Sequence, residues 1–400
     1  MTGADLEAAG AMGLVGVGAR RLRIPPGFEV ALGSDPARAR EIEEFVRASP
    51  DRCVYHTPWY IDFARAQDGV AEILLLARSG RALVALPMHP HGRSFYSTRY
   101  SGILLPDTES EPVLKLSTTA VGEFLGANPS LGYECLQAAQ ARAYENPQRC
   151  AMIDSLLVGK GITKRELYSR ILRLTPGNQE PVPASGTLTV VDLDNDLIDS
   201  YDGKRRSEIR QALRSGVEVA YDLLCAEDDG TRTRAAYRRY LSIHQTSWRR
   251  TGMRPHGAEY WHSLSESVQR AGGRDLIVIA LAPGGTAVAG VTCHMFQDRA
   301  LYWSGGSLEE GMTLKANSLC LHAAISLCRR SGAVVFEVGR FDPGETSRKE
   351  RAITAYKAQF RGSVVRLVNF LRPPTNAAYR LRAAGVRVVR AVHRAVLQDA

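Results

Sequence analysis

No C-x-x-C pair occurs in this chain of 400 residues, and its seven cysteines are an odd number scattered between Cys53 and Cys328. That spacing argues against a disulfide framework and against the common zinc modules, and fits a reducing, cytoplasmic setting without metal. No G-x-S-x-G elbow is present, so a serine hydrolase of that design is not expected, nor is a cysteine nucleophile. No apolar run reaches the roughly 20 residues that a membrane-spanning helix needs. The N-terminal stretch MTGADLEAAGAMGLVGVGARR is partly apolar, but Asp5 and Glu7 stand where a leader peptide carries basic residues. The chain is therefore expected to be neither secreted nor membrane-spanning.

What is present is an ordinary globular composition, 44% hydrophobic and 23% charged, in a chain long enough for two domains. The net charge of +9 is unevenly placed. Residues 361–400 hold eight arginines (361, 366, 372, 380, 382, 387, 390 and 394) against the single acid Asp399, which is +7 of that total. Within the nearly neutral body, Thr231 to Ala258 holds seven arginines and no acid, and Lys204, Arg205, Arg206, Arg210 and Arg214 lie just upstream. Those two stretches make one module locally basic, as contact with phosphates requires.

The run from Leu301 to Gly362 has the clearest periodicity. An aromatic strand, Leu301 to Ser304, is expected to stop at Gly305-Gly306; helical spacing follows through Leu319, Ala323, Ala324, Ile325 and Leu327, with Gly332 as C-terminal stop. Ala333 to Val338 reads as a buried strand, and the short crossover predicts that it lies parallel to the first, with a loop over Glu309 to Lys315 and a helix start at their mouth. Free N–H groups and the positive dipole end there suit an anionic or carbonyl-bearing ligand. A weak internal repeat predicts two modules: TPWYIDFARAQ with AEILLLARSGRALVALPMHP, and AEYWHSLSESVQRAG with RDLIVIALAPGGTAVAGVTCHMF. Each reads as helix, strand, hairpin at Ser79-Gly80 or Gly284-Gly285, strand. The Pro/Gly-rich segment Thr175 to Gly186 is the expected boundary.

The segments GGS, KANSLCLHAAI, FEVGRFDP and AYKAQFRG resemble the closing segment of the Fem and BioF2-like acetyltransferase families of the GNAT superfamily. Asn317, Glu337 with Gly339, and Lys357 with Phe360 and Gly362 occupy the places of that pattern. KRRSEIRQALRSGVEV, at Lys204 to Val219, matches the start of such a second module. The strand-end acid is Glu337 where the families usually have Asp, and the Arg/Gln-x-x-Gly-x-Gly loop of simple CoA-binding relatives is absent. The resemblance implies an α/β fold of two tandem GNAT-like modules, each a mixed β-sheet flanked by helices. The expected organisation is a flexible N-terminus over 1–25, an N-terminal module over 26–180, an acyltransferase module over 187–370 and a basic amphipathic helix over 375–400.

Acyl transfer in such a site needs an uncharged amine near the donor carbonyl, hydrogen-bond donors for the developing oxyanion and a proton acceptor, with no covalent enzyme intermediate. Glu337 and Lys357 are the expected catalytic pair. Trp303, Ser304, Asn317, Gly339, Arg340, Phe360, Arg205, Arg210 and Trp248 are the expected substrate- or donor-binding residues. Each has a plainer reading: a salt bridge for Glu337, a solvated helix face for Lys357, an ordinary helix start for Asn317, a closed core for Trp248. His294 and His322 read as satisfied interior histidines. His89 and His91 share a strand face but lack carboxylate or cysteine support for a metal. No tightly bound cofactor is expected. The co-substrate implied is acyl-CoA or, for the Fem-like alternative, aminoacyl-tRNA, with a small-molecule, glycan or peptide precursor as acceptor; a third reading is a catalytically silent binding module. Over 376–397, Arg380, Arg387, Arg390 and Arg394 fall on one arc and Leu381, Val388, Val389, Val392 and Val396 on the other, an amphipathic basic helix whose expected fates are packing on the body, lying on an anionic membrane from the cytoplasmic side, or tracking RNA.

Overall fold

The computed structural model describes residues 13–372 apart from 18–19, 50–51, 53, 69–70, 92–93, 97–103, 107, 109, 129–131, 137–146, 160–162, 176–181, 189–193 and 342–347. The expected helix at 376–397 lies outside the described residues. The chain divides into two units, Met1–Glu166 with Val368–Ala400, and Leu167–Leu367.

In the first unit β1 (Gly13–Val17) and β2 (Arg20–Ile24) form an antiparallel hairpin inside the stretch expected to be flexible. Then come β3 (Glu29–Leu32), α1 (Ala39–Ala48), α2 (Pro58–Asp68), β4 (Glu72–Arg78), β5 (Arg81–His91), β6 (Ser94–Tyr96), α3 (Glu111–Ala127), β7 (Gly132–Leu136) and α4 (Pro147–Val158). The strand order β3-β4-β5-β6-β7 is mixed, because β6 and β7 run parallel and the others antiparallel. His89 and His91 fall in β5, with their side chains outside the described set.

The second unit holds β8 (Thr163–Arg173) from Leu167 on, β9 (Ser185–Leu188), α5 (Asn195–Ser200), α6 (Gly203–Arg214), β10 (Glu218–Leu224), α7 (Gly230–Arg250), α8 (Ala258–Arg270), β11 (Arg274–Leu281) and β12 (Ala287–Phe296). It continues with β13 (Arg299–Ser307), α9 (Glu309–Thr313), α10 (Ala316–Arg330), β14 (Val335–Phe341), α11 (Arg348–Ala358) and the start of β15 (Ser363–Arg372). Its sheet runs β8-β14-β13-β12-β11-β10-β9, antiparallel except where β13 and β14 run side by side, as the short crossover predicts. The end of β15 belongs to the first unit and pairs with β7, Asn369 opposite Leu136.

Local chemistry explains these elements. Asp194, Asp202 and Asp229 each accept a backbone N–H at the start of α5, α6 and α7. The hairpin turns at Ser79-Gly80 and Gly284-Gly285 have positive φ at both central residues, 52° and 70°, then 98° and 84°. Helix α10 is apolar nearly all round and is buried against β11, β12 and α6. Helix α7 turns Ala236, Tyr237, Tyr240 and Ile243 inward and leaves Arg234, Arg238, Arg239, Arg249 and Arg250 exposed, while Arg232 is half-buried against Asp228.

Three local readings differ from the sequence expectation. Gly305-Gly306 does not end β13: the strand continues to Ser307, and α7 packs closely on it there, a Cβ on Gly306 meeting Ser247 and Ile243 at 3.2–3.3 Å. The segment after it coils into α9, then passes through Lys315 at φ 59° into α10. Strand β14 extends past Gly339 to Phe341, so Arg340 lies within it. Among the described residues, no helix is long and apolar enough to cross a membrane.

Gly362 follows α11 with φ 77°, and a Cβ there would come within 2.2 Å of the Ile171 carbonyl oxygen. Gly362→Ala combines that clash with positive-φ strain, so a loss of at least about 2 kcal/mol is expected. Urea unfolding should show it beside Gly284→Ala, which meets no atom within 4 Å and should cost less; equal costs would contradict the packing argument.

Candidate functional site

Strands β13 and β14 pair over three positions only, Arg299 with Val335, Ala300 with Phe336 and Leu301 with Glu337. Both strands continue beyond, so the sheet opens into a cleft whose two walls are irregular. On β13 the register against β12 skips Trp303, with Tyr302 opposite Cys293 and Ser304 opposite Thr292. On β14 the register against β8 skips Val338, with Glu337 opposite Ile171 and Gly339 opposite Arg170. Gly339 takes φ 111° to complete that bulge. Bulges break the ladder and re-aim side chains, which is why they recur beside functional sites.

Glu337 is 7% exposed, and Ser169 Oγ of β8 donates to its Oε1 at 2.6 Å. Burial pushes the Glu337 pKa up, against the Ser169 hydrogen bond and the nearby charges of Arg299 and Lys357. Lys357, half-buried on α11, thus lies within electrostatic reach of the carboxylate. One residue earlier, Tyr356 joins α11 to the start of α10. Asn317 Nδ2 donates to the Tyr356 hydroxyl at 2.8 Å, and that hydroxyl donates to the Asn317 carbonyl at 3.2 Å. Asn317 Oδ1 is buried with no hydrogen-bond partner among the described residues.

Trp303 stacks on His294 of β12 at 5.1 Å. His294 Nε2 lies 3.6 Å from Asp275 Oδ1 on β11, and Asp275 Oδ2 accepts the Tyr237 hydroxyl of α7 at 2.6 Å. Burial lowers the His294 pKa to about 3 and raises that of Asp275 to about 6, the latter opposed by hydrogen bonds from Ser265 and Tyr237. The imidazole under Trp303 is therefore neutral at ordinary pH.

Of the expected residues, Glu337, Lys357, Asn317, Gly339 and Phe360 gather around the opening of β14 and the facing ends of α10 and α11, with Trp303 and Ser304 on the opposite strand. Arg340 lies in β14, its side chain outside the described set. Phe360 is fully buried against Tyr201 and Tyr356. Arg205 is 1% exposed and turns inward. Its guanidinium bonds Glu208, Ser318, the Tyr356 carbonyl and Gln359, and stacks over the Tyr356 and Phe360 rings at 4.1 and 4.7 Å. It braces the cleft without facing it. Arg210 is exposed and paired with Asp199 at 2.9 Å. Trp248 packs against His244 at 4.5 Å, at the end of α7. Sequence reasoning missed Ser169 because its pairing with β14 spans 168 residues and leaves no local pattern. Tyr356 and the Asp275–His294 pair were legible as residues, but their cross-strand and cross-helix contacts were not.

Removing one partner from a buried charged network strands the others, so Arg205→Met is expected to cost about 3 kcal/mol or more in chemical denaturation. Arg205→Lys, which cannot fork between Ser318 and Gln359, should recover only part of that loss; full recovery would show that charge alone matters.

The fold and this cleft define a class. Residues 203–358 match the acetyltransferase (GNAT) domain family. No curated protein matches the chain. Among solved structures, the crystal structure of FemX aligns over 82% of this chain and 95% of its own, with a TM-score of 0.56 at 13% identity. The C-terminal domain of an Agrobacterium fabrum protein assigned as a lysylphosphatidylglycerol synthetase aligns over 88% and 96%, with a TM-score of 0.51 at 12% identity. At those identities the likeness is one of fold. The second unit thus contains a stretch similar to the GNAT acetyltransferase domain, and the chain shares the fold of Fem-like GNAT proteins, as its motifs imply. GNAT domains use acyl-CoA as co-substrate, and transferase is the class of activity that follows.

Proposed function

We propose that this protein transfers an acyl group from acyl-CoA to an amine or hydroxyl of a small molecule or of a glycan or cell-wall precursor, by direct attack. The observation that carries the reading is the cleft where β13 and β14 part, with the buried carboxylate of Glu337, its pKa raised by burial, on one strand and the start of α10 beyond. The donor thioester lies between the two strands, its carbonyl oxygen toward backbone N–H groups of the Trp303 bulge and its phosphates toward the start of α10 and Lys357. The acceptor nitrogen attacks the carbonyl carbon and the carbon–sulfur bond breaks. Glu337 takes the amine proton, and the departing thiolate receives it. A carboxylate with a raised pKa suits that task better than an ordinary one.

One observation favours a second reading, in which aminoacyl-tRNA is the donor. The link from β13 to α10 is the helical segment α9, where a glycine-rich phosphate loop would otherwise stand. Binding of acetyl-CoA and of a charged tRNA pool across a salt series separates the two, because a tRNA contact weakens steeply with salt. Binding of neither would favour a silent module.

Glu337→Gln preserves shape and a neutral partner for Ser169, so its loss of turnover should be about a hundredfold or more while donor binding persists. Stability should move the other way. The folded protein holds the Glu337 proton more tightly than the unfolded chain, so the contribution is intact below the ordinary carboxylate pKa and is lost as pH rises through the raised one. The variant is expected to melt above wild type at about pH 8, the gap closing toward about pH 4. A gap that widens on acidification in calorimetry would overturn the upward shift of the Glu337 pKa.

A further inference from the structure

The carboxylate of Glu337 is held unevenly. Its neighbours along the ladder are apolar, Leu301 on β13 and Ile171 on β8, and neither can offer it a hydrogen bond from its side chain. Ser169 stands two residues before Ile171, so it shares that sheet face and reaches the carboxylate diagonally. Its Oγ donates to Oε1 at 2.6 Å, the one hydrogen bond of the carboxylate among the described residues. Oε2 makes none there, and it is not among the sealed atoms that lack a partner, so some of the 7% exposure of Glu337 belongs to it. Ser169 itself is fully buried, and Glu337 is the acceptor its hydroxyl finds among the described residues.

Charged groups elsewhere around Glu337 do not replace that contact. Arg299 on β13 and Lys357 on α11 reach the carboxylate through their fields. Arg170, next to Ser169 on β8, is turned to the Arg361 and Gly362 carbonyls at 2.9 and 3.2 Å. A buried hydroxyl is costly unless it is bonded, so packing alone gives no reason for one at this place. Its use lies in the acid that it meets.

We propose that Ser169 is a positioning residue for the transfer: its hydroxyl fixes Glu337 Oε1 and leaves Oε2 as the oxygen that takes the acceptor's proton. The inference rests on the transferase reading, since it names the atom at which that site's proton is taken. As the amine nitrogen bonds to the acyl carbon and the carbon–sulfur bond breaks, the N–H proton passes to Oε2 and from there to the departing thiolate. Ser169 keeps its own proton throughout. A hydroxyl donated to a carboxylate stabilises the charged form, so Ser169 also opposes the burial that raises the Glu337 pKa. Without it the acid would hold its proton to higher pH and be less available as an acceptor near neutrality.

Two readouts on the full chain test it, neither of which a merely structural hydroxyl would move. The first is melting against pH. Ser169→Ala raises the folded-state pKa of Glu337 further above its unfolded value, so the variant should fall below wild type by more at about pH 8 than at about pH 4. When both proteins also carry Glu337→Gln, which has no proton to lose, the gap should be the same at both pH values. Ser169→Thr keeps the hydroxyl and should run parallel to wild type across pH, even where its extra methyl lowers stability throughout. The second readout is thiol release from acetyl-CoA with glucosamine as the probe amine. The acidic limb of its pH profile should move up by about one pH unit in Ser169→Ala and return in Ser169→Thr. A melting gap independent of pH, or a limb that stays in place while transfer persists, would overturn the proposal. Melting decides it even where wild type releases no thiol; that outcome counts against the acyl-CoA reading and leaves the pairing of Ser169 with Glu337 standing.

Discussion

The guanidinium of Arg205 carries a full charge at 1% exposure, and three helices of the second unit take their places around it. A charge so buried is tolerable only when most of its hydrogen bonds are met, and here the two Nη groups find partners outside their own helix as well, Ser318 on α10, the Tyr356 carbonyl on α11 and Gln359 just beyond it, while Nε has none among the described residues. The aromatic rings of Tyr356 and Phe360 close over its face. Because Tyr356 also holds Asn317, the start of α10 cannot shift without disturbing α11. Lys357 is therefore carried toward Glu337 on a helix whose end is held by a buried charge.

Glu337 is the opposing case, a charge that the fold makes costly. Its raised pKa means that ionisation is disfavoured where the carboxylate sits, and only Ser169 with the fields of Arg299 and Lys357 offsets the loss of water. Replacing it with an apolar residue would stabilise such a strand. Retaining an acid there is what the proposed role as proton acceptor would require, since desolvated titratable groups cluster at functional sites.

Much of this was legible in the sequence. The helix–strand–hairpin–strand repeat, the parallel neighbours on either side of α10, and the family pattern through Asn317, Glu337 and Lys357 all depend on local periodicity and turn chemistry. What was illegible depends on partners distant in the chain. Gly305-Gly306 looks like a stop because glycine usually is one, but the strand runs on to Ser307 with α7 packed closely on it. A basic helix at 204–214 suggests phosphates, yet its most important arginine is consumed by the core, since composition counts charges without saying which way they point. The bulges at Trp303 and Val338 exist only as mismatches between strands.

The internal repeat bears directly on where chemistry resides. Glu72 and Asp275 occupy the same place, the second position of the segments that begin the two hairpins, and both are buried. Their cross-strand partners differ: Glu72 stands opposite Met88, Asp275 opposite His294. With only a thioether across the ladder, the Glu72 carboxylate turns to the backbone and accepts from Ser34 N, Ser34 Oγ and Ile73 N, with Arg65 3.5 Å away. All of its capacity is spent on local structure. Asp275 instead accepts the Tyr237 hydroxyl and lies 3.6 Å from the neutral imidazole of His294, whose ring stacks on Trp303. The two equivalent positions thus carry acids in different surroundings, the second of them inside the stretch, residues 203–358, that matches the acetyltransferase domain family.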